Sequence, residues 1–448
     1  MASPAEQIAG NINLGAFGKA TELKKRLWFT LGCLIVFRVG TYVPLPGIDP
    51  AIFRQIFDTQ AAGILGMFNM FAGGALGRMT VFALGIMPYI SASIIVQLLT
   101  AVSPKLEALK KEGEQGRKKL NQYTRYGTVL LALLQAYGIA VGIEGMRSGA
   151  ASAVVDPGYF FRITTAITLT GGTMFLMWLG EQITARGVGN GISLVIFAGI
   201  VAELPGSLVQ TLELGRTGAL STLLILGVLV LAVAVIVFVV YMERAQRRIV
   251  VQYPKRQMGT RMVGGQSSHL PMKLNSAGVI PPIFASSLLL LPTTIAGFSA
   301  GQDSSGIMTT ITALLGHGQP LYIAFYVGLI VFFCFFYTAI VFNPDETADN
   351  LKKNGGFVPG IRPGKNTANY LDHVLTRLTV IGAAYLALVC VLPEILISRF
   401  SVPFYFGGTS LLIVVSVTMD TIAQVQSHLL AHQYEGLVRK SKLRGRRG

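Results

Sequence analysis

Charged residues are scarce in this chain of 448 residues: only 13% are Asp, Glu, Lys or Arg, about half the usual share of a soluble domain. Acidic residues are the scarcest, with 21 Asp and Glu against 37 Lys and Arg, which leaves a net charge of +16. Hydrophobic residues make up 52% of the chain. This composition excludes an intrinsically disordered chain and argues against an ordinary soluble enzyme. It predicts a membrane protein with many spans and basic loops.

Cysteines and catalytic motifs are also rare. The three cysteines lie inside apolar segments, which favours packing over a disulfide or a metal site: Cys33, Cys334 and Cys390. A glycine-rich stretch at 360–366 departs from a phosphate-binding loop in its spacing and in having Asn366 after the lysine. His428 and His432 are one helical turn apart, but a polar helix end explains them as well as a metal does. We therefore predict no metal, no cofactor and no enzymatic activity, so any energy must come from a partner or a gradient.

Long uncharged runs indicate where the chain crosses the membrane. A membrane helix needs about 20 mostly apolar residues to span roughly 30 Å of hydrocarbon. Residues 79–104, 217–242, 274–302, 304–344 and 400–419 contain no charged side chain, and shorter apolar runs lie elsewhere along the chain. The pattern predicts an all-α membrane protein with ten transmembrane helices. The ten predicted spans are residues 25–44, 83–102, 127–145, 160–180, 190–208, 219–241, 276–296, 321–342, 377–397 and 404–423.

The basic residues separate into two groups once these spans are drawn. Of the 37 Lys and Arg, 30 fall in the two termini and the even-numbered loops, and 6 fall in the odd-numbered loops. The remaining one, Arg38, lies near the outer end of the first span, from which it can extend to the interface. Because cytoplasmic loops are enriched in Lys and Arg, both termini are predicted to be cytoplasmic. The span interiors hold few ionisable groups, which weighs against an ion-coupled pump.

A short apolar segment at 64–78 precedes the second span. Its glycines weaken a helix, so we predict a short helix over 64–77 that dips into the membrane from outside and stops. Irregular backbone at that depth must be buried in protein or line a cavity, so a cavity is implied. A helix lying flat on the outer surface is the alternative interpretation.

Isoleucines recur near the middle of several spans. Two pairs are spaced by four residues, which places each pair on one helix face. Packing or lipid contact is the default explanation for such residues, and composition alone does not favour another. The set is Ile86, Ile90, Ile192, Ile196, Ile283 and Ile413.

Several long motifs carry a family resemblance. FNMFAGGALGR at 68–78 is followed by FALGIMPYISASIIVQLL at 82–99. The later motifs are QYTRYG (122–127), GTMFLMWLGEQIT (172–184), GNGIS (189–193), ERAQRRIVVQYPKRQ (243–257), VFNPDETADNLKK (341–353), VPGIRPG (358–364) and VPFYFGGTSLLIVVSV (402–417). With these motifs the chain resembles the SecY family, the central channel subunits of the bacterial protein translocase, over nearly its whole length. The resemblance implies two pseudo-symmetric inverted halves of five helices, a re-entrant plug helix and a lateral gate between spans 2 and 7.

The resemblance also implies roles for the isoleucines and the short segment. The six isoleucines would form a pore ring that closes around a passing chain and excludes ions by dewetting. The segment 64–78 would be the plug that fills the outer funnel at rest, and its glycines and few polar contacts would make it easy to displace. The plug residues that match the family are Phe68, Asn69, Met70, Phe71, Gly73, Gly74 and Leu76.

Polar residues on spans 2 and 7 match the lateral gate of the family. An interhelical hydrogen bond in a membrane is worth about 0.6–2 kcal/mol, which is weak enough for an arriving signal sequence to replace it. Ser93 and Ser287 are further candidates, but helix packing is the default explanation for all the serines. The implied gate residues are Gln97, Ser91, Asn275 and Ser286.

Two large cytoplasmic loops, 243–275 and 343–376, carry basic residues beyond what topology requires. The resemblance assigns these loops to docking of the SecA motor ATPase and of ribosomal RNA near the exit tunnel, since basic loops suit phosphates. Enforcement of topology is the alternative explanation for most of the charge. The implied docking residues are Arg247, Arg248, Lys255, Arg256, Arg261, Arg362 and Lys365.

The function that the resemblance implies is a protein-conducting channel in the bacterial cytoplasmic membrane. SecA or the ribosome would drive it, SecE and SecG would accompany it, and its substrates would be signal peptides and nascent membrane-protein segments released into lipid. A secondary transporter for a small solute and an intramembrane enzyme are the alternatives. The predicted parts are a cytoplasmic tail at 1–24, an N-terminal half at 25–208, an outer hinge loop at 209–218, a C-terminal half at 219–430 and a basic tail at 431–448.

Overall fold

Segments that cross a membrane form helices because their backbone groups must pair within the segment itself. The computed structural model follows this rule and describes residues 21–60, 69–145, 147–148, 151–217, 221–253, 256–258, 261–263, 267–299, 319–400 and 408–444. The helices are α1 (Thr21–Gly40), α2 (Pro50–Gln60), α3 (Met87–Val102), α4 (Pro104–Lys111), α5 (Glu114–Gly145), α6 (Tyr159–Arg186), α7 (Gly191–Arg216), α8 (Thr222–Arg244), α9 (Ile280–Ser299), α10 (Pro320–Val341), α11 (Pro344–Lys353), α12 (Lys365–Phe400) and α13 (Gly408–Arg444). The strands are β1 (Arg147–Ser148), β2 (Ala151–Ser152), β3 (Gln246–Gln252), β4 (Arg256–Met258), β5 (Arg261–Val263) and β6 (Ser267–Lys273).

Seven of the described helices are long and apolar enough to cross a membrane. The number is eight if α3 and α4 count as one span, although they differ in direction by 100° across Ser103. Ten described helices coincide in position with the ten predicted spans: α1, α3, α5 to α10, α12 and α13. The predicted all-α membrane fold is thus confirmed, whereas the count of ten spans stays a prediction.

The chain divides into two compact units. The first comprises Met1–Gly206, Thr294–Ser305 and Val417–Gly448, and the second comprises Ser207–Thr293 and Gly306–Ser416. Within the first unit, α5 packs along α3 and along α6. Within the second unit, α10 packs along α12. The unit boundaries fall inside α7, α9 and α13, and the inverted symmetry of the predicted halves stays a prediction.

The structure differs from the predicted outer hinge loop at 209–218, because α7 continues to Arg216. Half of the residues of this stretch, including Gln210, Leu212 and Glu213, have good helix propensity. Pro205 lies inside α7, where it removes one backbone donor, a loss that membrane helices tolerate. At residues 209–216 the structure therefore has a helix in place of the loop that was predicted to separate the two halves.

The predicted cytoplasmic loop at 243–275 contains a β-ribbon. Strand β3 pairs antiparallel with β6, in register from Gln246 opposite Lys273 to Gln252 opposite Ser267, and β4 pairs with β5. Consecutive β-branched residues in β3 favour an extended backbone. Alternate residues of the strands are buried, so one face of the ribbon packs on the second unit and the other is exposed.

An apolar cluster joins this ribbon to the second of the two loops that were predicted to be cytoplasmic, 343–376. Gln252 and Phe357 exchange two backbone hydrogen bonds of 2.9 and 3.0 Å. The cluster beneath them consists of residues that are at most 5% exposed: Ile249, Met272, Val358, Leu371 and Leu375. The two loops that were predicted separately therefore form one surface.

The later part of α13 packs within the first unit. Leu429 on α13 is in contact with Leu23 on α1 and with Val188, which precedes α7. The side chain of Gln424 accepts a hydrogen bond from the backbone N–H of Gly189 at 2.8 Å. This contact fixes the middle of α13 to the loop that leads into α7.

Candidate functional site

The plug segment turns sharply instead of continuing as a helix. Its described part is helical only as far as Phe71, and residues 72–79 form consecutive turns. Gly73 and Gly74 have φ of +66° and +79°, in the left-handed region that a right-handed helix excludes. The carbonyl of Asn69 accepts a hydrogen bond from the second of these glycines at 2.8 Å, and its side chain accepts one from a later amide at 2.7 Å. The predicted short helix is therefore wrong in its second half.

Most of the described plug residues are buried. Met70, Phe71 and Leu76 are only 5–6% exposed, and Asn69 is half-buried. Phe68 lies outside the described residues. Burial of these side chains contradicts the alternative of a helix lying flat on the outer surface.

The consecutive turns at residues 72–79 are called the plug turn below. Two glycines outside it form the surface against which it packs, which is its seat. A side-chain carbon on Gly73 would lie 2.9 Å from the Cα of Gly199 on α7. A side-chain carbon on Gly85 would lie 3.5 Å from the Cα of Ala72. The first of these backbone approaches requires the absence of a side chain. The plug turn therefore contacts both segments of the first unit that carry the predicted ring isoleucines.

The six predicted ring residues are distributed over both units. The first unit holds Ile86, Ile90, Ile192 and Ile196, and the second holds Ile283 and Ile413. All six side chains are buried or half-buried. Ile86 directly precedes α3, and its carbonyl accepts a hydrogen bond from the N–H of Ile90 at 3.2 Å, so this pair lies one turn apart. Their joint action as a ring stays a prediction.

The plug turn makes stronger polar contacts than predicted. Arg38 on α1 donates from Nη1 to the carbonyl oxygen of Gly73 at 2.7 Å, so it contacts the plug turn instead of extending to the interface. Arg78 forms an ion pair with Glu203 on α7, with 3.2 Å between Nη2 and Oε1. The expectation of few polar contacts is therefore wrong. Glu203 was missed because 125 positions separate it from its partner and no local pattern marks it.

In the first unit, the predicted gate residue Gln97 is hydrogen-bonded within its own helix. Its Nε2 donates to the Oγ of Ser93 at 3.1 Å. Its Oε1 is buried and has no hydrogen-bond partner among the described residues. A buried acceptor without a hydrogen-bond partner costs about 1–3 kcal/mol of stability. Binding of a group that donates a hydrogen bond to this oxygen would therefore be favoured. Ser91, on the same helix, is 5% exposed.

In the second unit, the predicted gate residue Asn275 is 5% exposed. Its Nδ2 donates to Glu243 Oε1 at 2.8 Å and to the carbonyl of Gly278 at 3.0 Å. The Oγ atoms of Ser286 and Ser287 donate to the carbonyl of a residue one turn earlier, at 2.9 and 2.8 Å. The serines therefore bond to their own helix, as the packing explanation expects. Glu243 was missed because its position at the end of α8 resembles that of any helix-terminal charge.

The predicted docking residues of the ribbon lie on strands. Arg247 and Arg248 are exposed on β3. Arg256 begins β4 and Arg261 begins β5, while Lys255 lies outside the described residues. The first two are both exposed, and as adjacent residues of a strand they point to opposite faces of the ribbon.

Arg362 lies in a tightly turned loop beside the same ribbon. Gly360 and Gly364 flank it with φ of +80° and +110°. The carbonyl of Arg362 accepts a hydrogen bond from the hydroxyl of Thr367 at 3.1 Å, which fixes the backbone while the guanidinium stays exposed. Lys365 is exposed at the first position of α12. The loop thus presents two exposed cations on the surface that it forms with the ribbon.

Known proteins resemble this chain over most of its length. The model of the SecY family matches residues 80–422. The protein translocase subunit SecY of Escherichia coli (strain K12) is 57% identical over 430 residues, which cover 96% of this chain and 97% of the relative. The same subunit of Vibrio cholerae is 58% identical over 428 residues, which cover 95% and 96%.

Solved structures share the fold at low sequence identity. A protein-conducting channel matches with a TM-score of 0.62 and 19% identity, over 91% of this chain and 92% of the other. Sec61 in a canine ribosome–channel complex from the endoplasmic reticulum matches with a TM-score of 0.58 and 18% identity, over the same shares. With its fold, its plug turn and its close bacterial relatives in agreement, the chain belongs to the SecY family of protein translocase subunits.

Proposed function

We propose that this chain is the channel through which unfolded secretory polypeptides cross the bacterial cytoplasmic membrane and from which apolar segments leave sideways into lipid. The observation that carries the proposal is the buried plug turn, which is seated against Gly85 and Gly199. Each of these glycines is within one helical turn of a predicted ring isoleucine. A turn in this position would seal a pore at rest and would leave its seat when a polypeptide enters.

The ring of isoleucines suits an unselective polypeptide pore. Branched aliphatic side chains offer no hydrogen bonds or charges, so an ion finds no replacement for its hydration shell and water is excluded. An extended polypeptide of any sequence can pass because nothing in the ring binds it specifically. Six residues divided between the two units would close such a ring from both sides.

The lateral gate would sort segments by their partition into lipid. A charged residue costs about 2.5–3.5 kcal/mol at the centre of a membrane helix, whereas each large aliphatic residue contributes a few tenths favourably. The gate residues Gln97 and Asn275 each form hydrogen bonds within their own unit. The gate would therefore open without leaving Asn275 unpaired. A sufficiently apolar segment would therefore leave sideways, and a polar segment would cross.

Partners would supply the energy, and the chain itself would not be an enzyme. The exposed cations on the ribbon and around Arg362 suit the phosphates of ribosomal RNA and the carboxylates of SecA. Sec61 and the yeast Ssh1 complex, which share the fold, were solved with ribosomes. We infer SecE and SecG as companion subunits, ten spans, and both termini in the cytoplasm.

Crosslinking tests the channel directly. In a cysteine-free background, Ile192→Cys should crosslink to a secretory chain that is stalled during translocation. Val233→Cys, on α8 and 60% exposed, is the control and should react with lipid-phase reagents only. The absence of a crosslink at position 192 in every stalled state would rule out a pore at this position.

A further inference from the structure

Arginines hold the plug turn on both sides. Arg38, near the end of α1, donates to the carbonyl oxygen of Gly73 at 2.7 Å. Arg78, at the other side of the turn, donates from Nη1 to the carbonyl oxygen of Thr41 at 3.4 Å. The two side chains thus tie the outer end of α1 to the plug turn from opposite directions.

The ring of Tyr42 links the two arginines. The Cζ atom of Arg38 lies 5.2 Å from the centre of this ring, and that of Arg78 lies 4.3 Å from it. Both distances are within the range in which a guanidinium is attracted to an aromatic face. Arg38 also donates from Nη2 to the hydroxyl of Tyr42 at 3.3 Å. A single aromatic side chain therefore binds two cations that would otherwise repel each other.

Glu203 neutralises part of this charge from α7. Its carboxylate pairs with Arg78 at 3.2 Å, and the two side chains are 31% and 28% exposed. Glu203 lies one turn beyond Gly199, against which the plug turn is packed. A side chain on Gly74 would overlap the same carboxylate, so the ion pair lies directly on the turn.

We propose that Arg38, Tyr42, Arg78 and Glu203 form a latch that holds the plug turn in its seat and sets how often the resting channel opens. The latch rests on the proposed channel function and adds the residues that restrain the plug. A partly exposed ion pair is individually weak, so its loss should change the open population by a small factor and leave the channel able to close.

The test is the ion conductance of resting channels in planar bilayers. Glu203→Gln should raise it about threefold to fivefold, which is the range expected from loss of one partly exposed pair. Glu213→Gln, on the same helix and in an exposed pair 4.0 Å from Arg216, is the matched control and should leave conductance unchanged. The double variant Arg78→Glu, Glu203→Arg exchanges the two charges and should bring the resting conductance part of the way back to that of the unaltered channel. A merely structural role of the two residues would give no such recovery.

Two further variants keep the proposal open to refutation. Tyr42→Leu removes the ring without changing charge, and it should also raise resting conductance. Unchanged conductance in both Glu203→Gln and Tyr42→Leu, or no recovery in the charge exchange, overturns the latch. A secretory chain should still crosslink to a cysteine at position 192 in each of these variants. Absence of that crosslink when the latch residues are unaltered would contradict the channel function and not the latch.

Discussion

At Gly73 the backbone angle and the surrounding backbone both disfavour a side chain. Its φ of +66° costs a residue with a side chain roughly 1–2 kcal/mol, and the Cα of Gly199 lies 2.9 Å from the place of a Cβ. Gly113 has a similar φ of +80°, but nothing lies within 4 Å of its Cβ position. Substitution of Gly113 therefore measures the cost of the backbone angle alone, whereas substitution of Gly73 measures that cost together with the cost of overlap with α7.

Gly73→Ala should loosen the plug, whereas Gly113→Ala should not. Overlap in a packed site costs about 1–3 kcal/mol, so we expect resting ion conductance to rise about tenfold in Gly73→Ala. Gly113→Ala should lower the thermal stability slightly and leave the conductance at its original level. Equal conductance in the two variants would show that the contact with Gly199 does not hold the plug.

At the residue scale, the sequence indicated which residues form the plug but not how they are held. The cluster of glycines predicted a weak helix, and it could not show that Gly73 and Gly74 adopt left-handed angles. That conformation is tied to contacts with α7, far along the chain. Glu203 and Glu243 were missed for the same reason, since their partners are defined only by the folded chain.

At the scale of elements, the β-ribbon depends on one buried face. Val251 on β3 is 2% exposed and its neighbour Val250 is 39% exposed. Val251 packs against Gly356 of the adjoining loop, with its Cγ1 3.1 Å from the position of a Cβ on that glycine. Two identical side chains at adjacent positions thus differ only in the face to which they point.

Val251→Ala should loosen the joined cytoplasmic surface more than Val250→Ala. Removal of two buried methyl groups costs about 2 kcal/mol, whereas the exposed position loses little. Limited proteolysis of the ribbon in detergent measures the difference, and we expect several-fold faster cleavage in Val251→Ala. Similar cleavage rates would indicate that the ribbon is held by its backbone pairing alone.

Elements were predicted best where composition alone decides them. Uncharged runs located α8 and α10 because lipid imposes helix on any apolar segment of that length. The ribbon was missed because β3 pairs with β6 across an intervening hairpin, and such pairing leaves no local period in a basic stretch. The extension of α7 from the predicted end of the span at residue 208 to Arg216 was missed because the length needed to cross a membrane gives no signal for a helix that continues beyond it.

At the scale of the whole molecule, the uneven distribution of basic residues gives the chain a predicted orientation. The 30 Lys and Arg on one predicted side include those of the ribbon and the loop around Arg362, which the structure joins through Gln252 and Phe357. The low charge of the predicted spans weighs against an ion-coupled pump. Both features fit the proposed channel, which a partner would drive at the face that is predicted to be cytoplasmic.

Translocation by reconstituted vesicles tests this function most directly. Vesicles that contain the chain with SecE and SecG should be given a secretory precursor, SecA and ATP, and the precursor should then be treated with protease. We predict that the precursor becomes protected only when SecA and ATP are both present, and that vesicles with the chain alone take up no small solute. No protection with every partner present, together with solute uptake by the chain alone, would contradict the channel and favour a transporter.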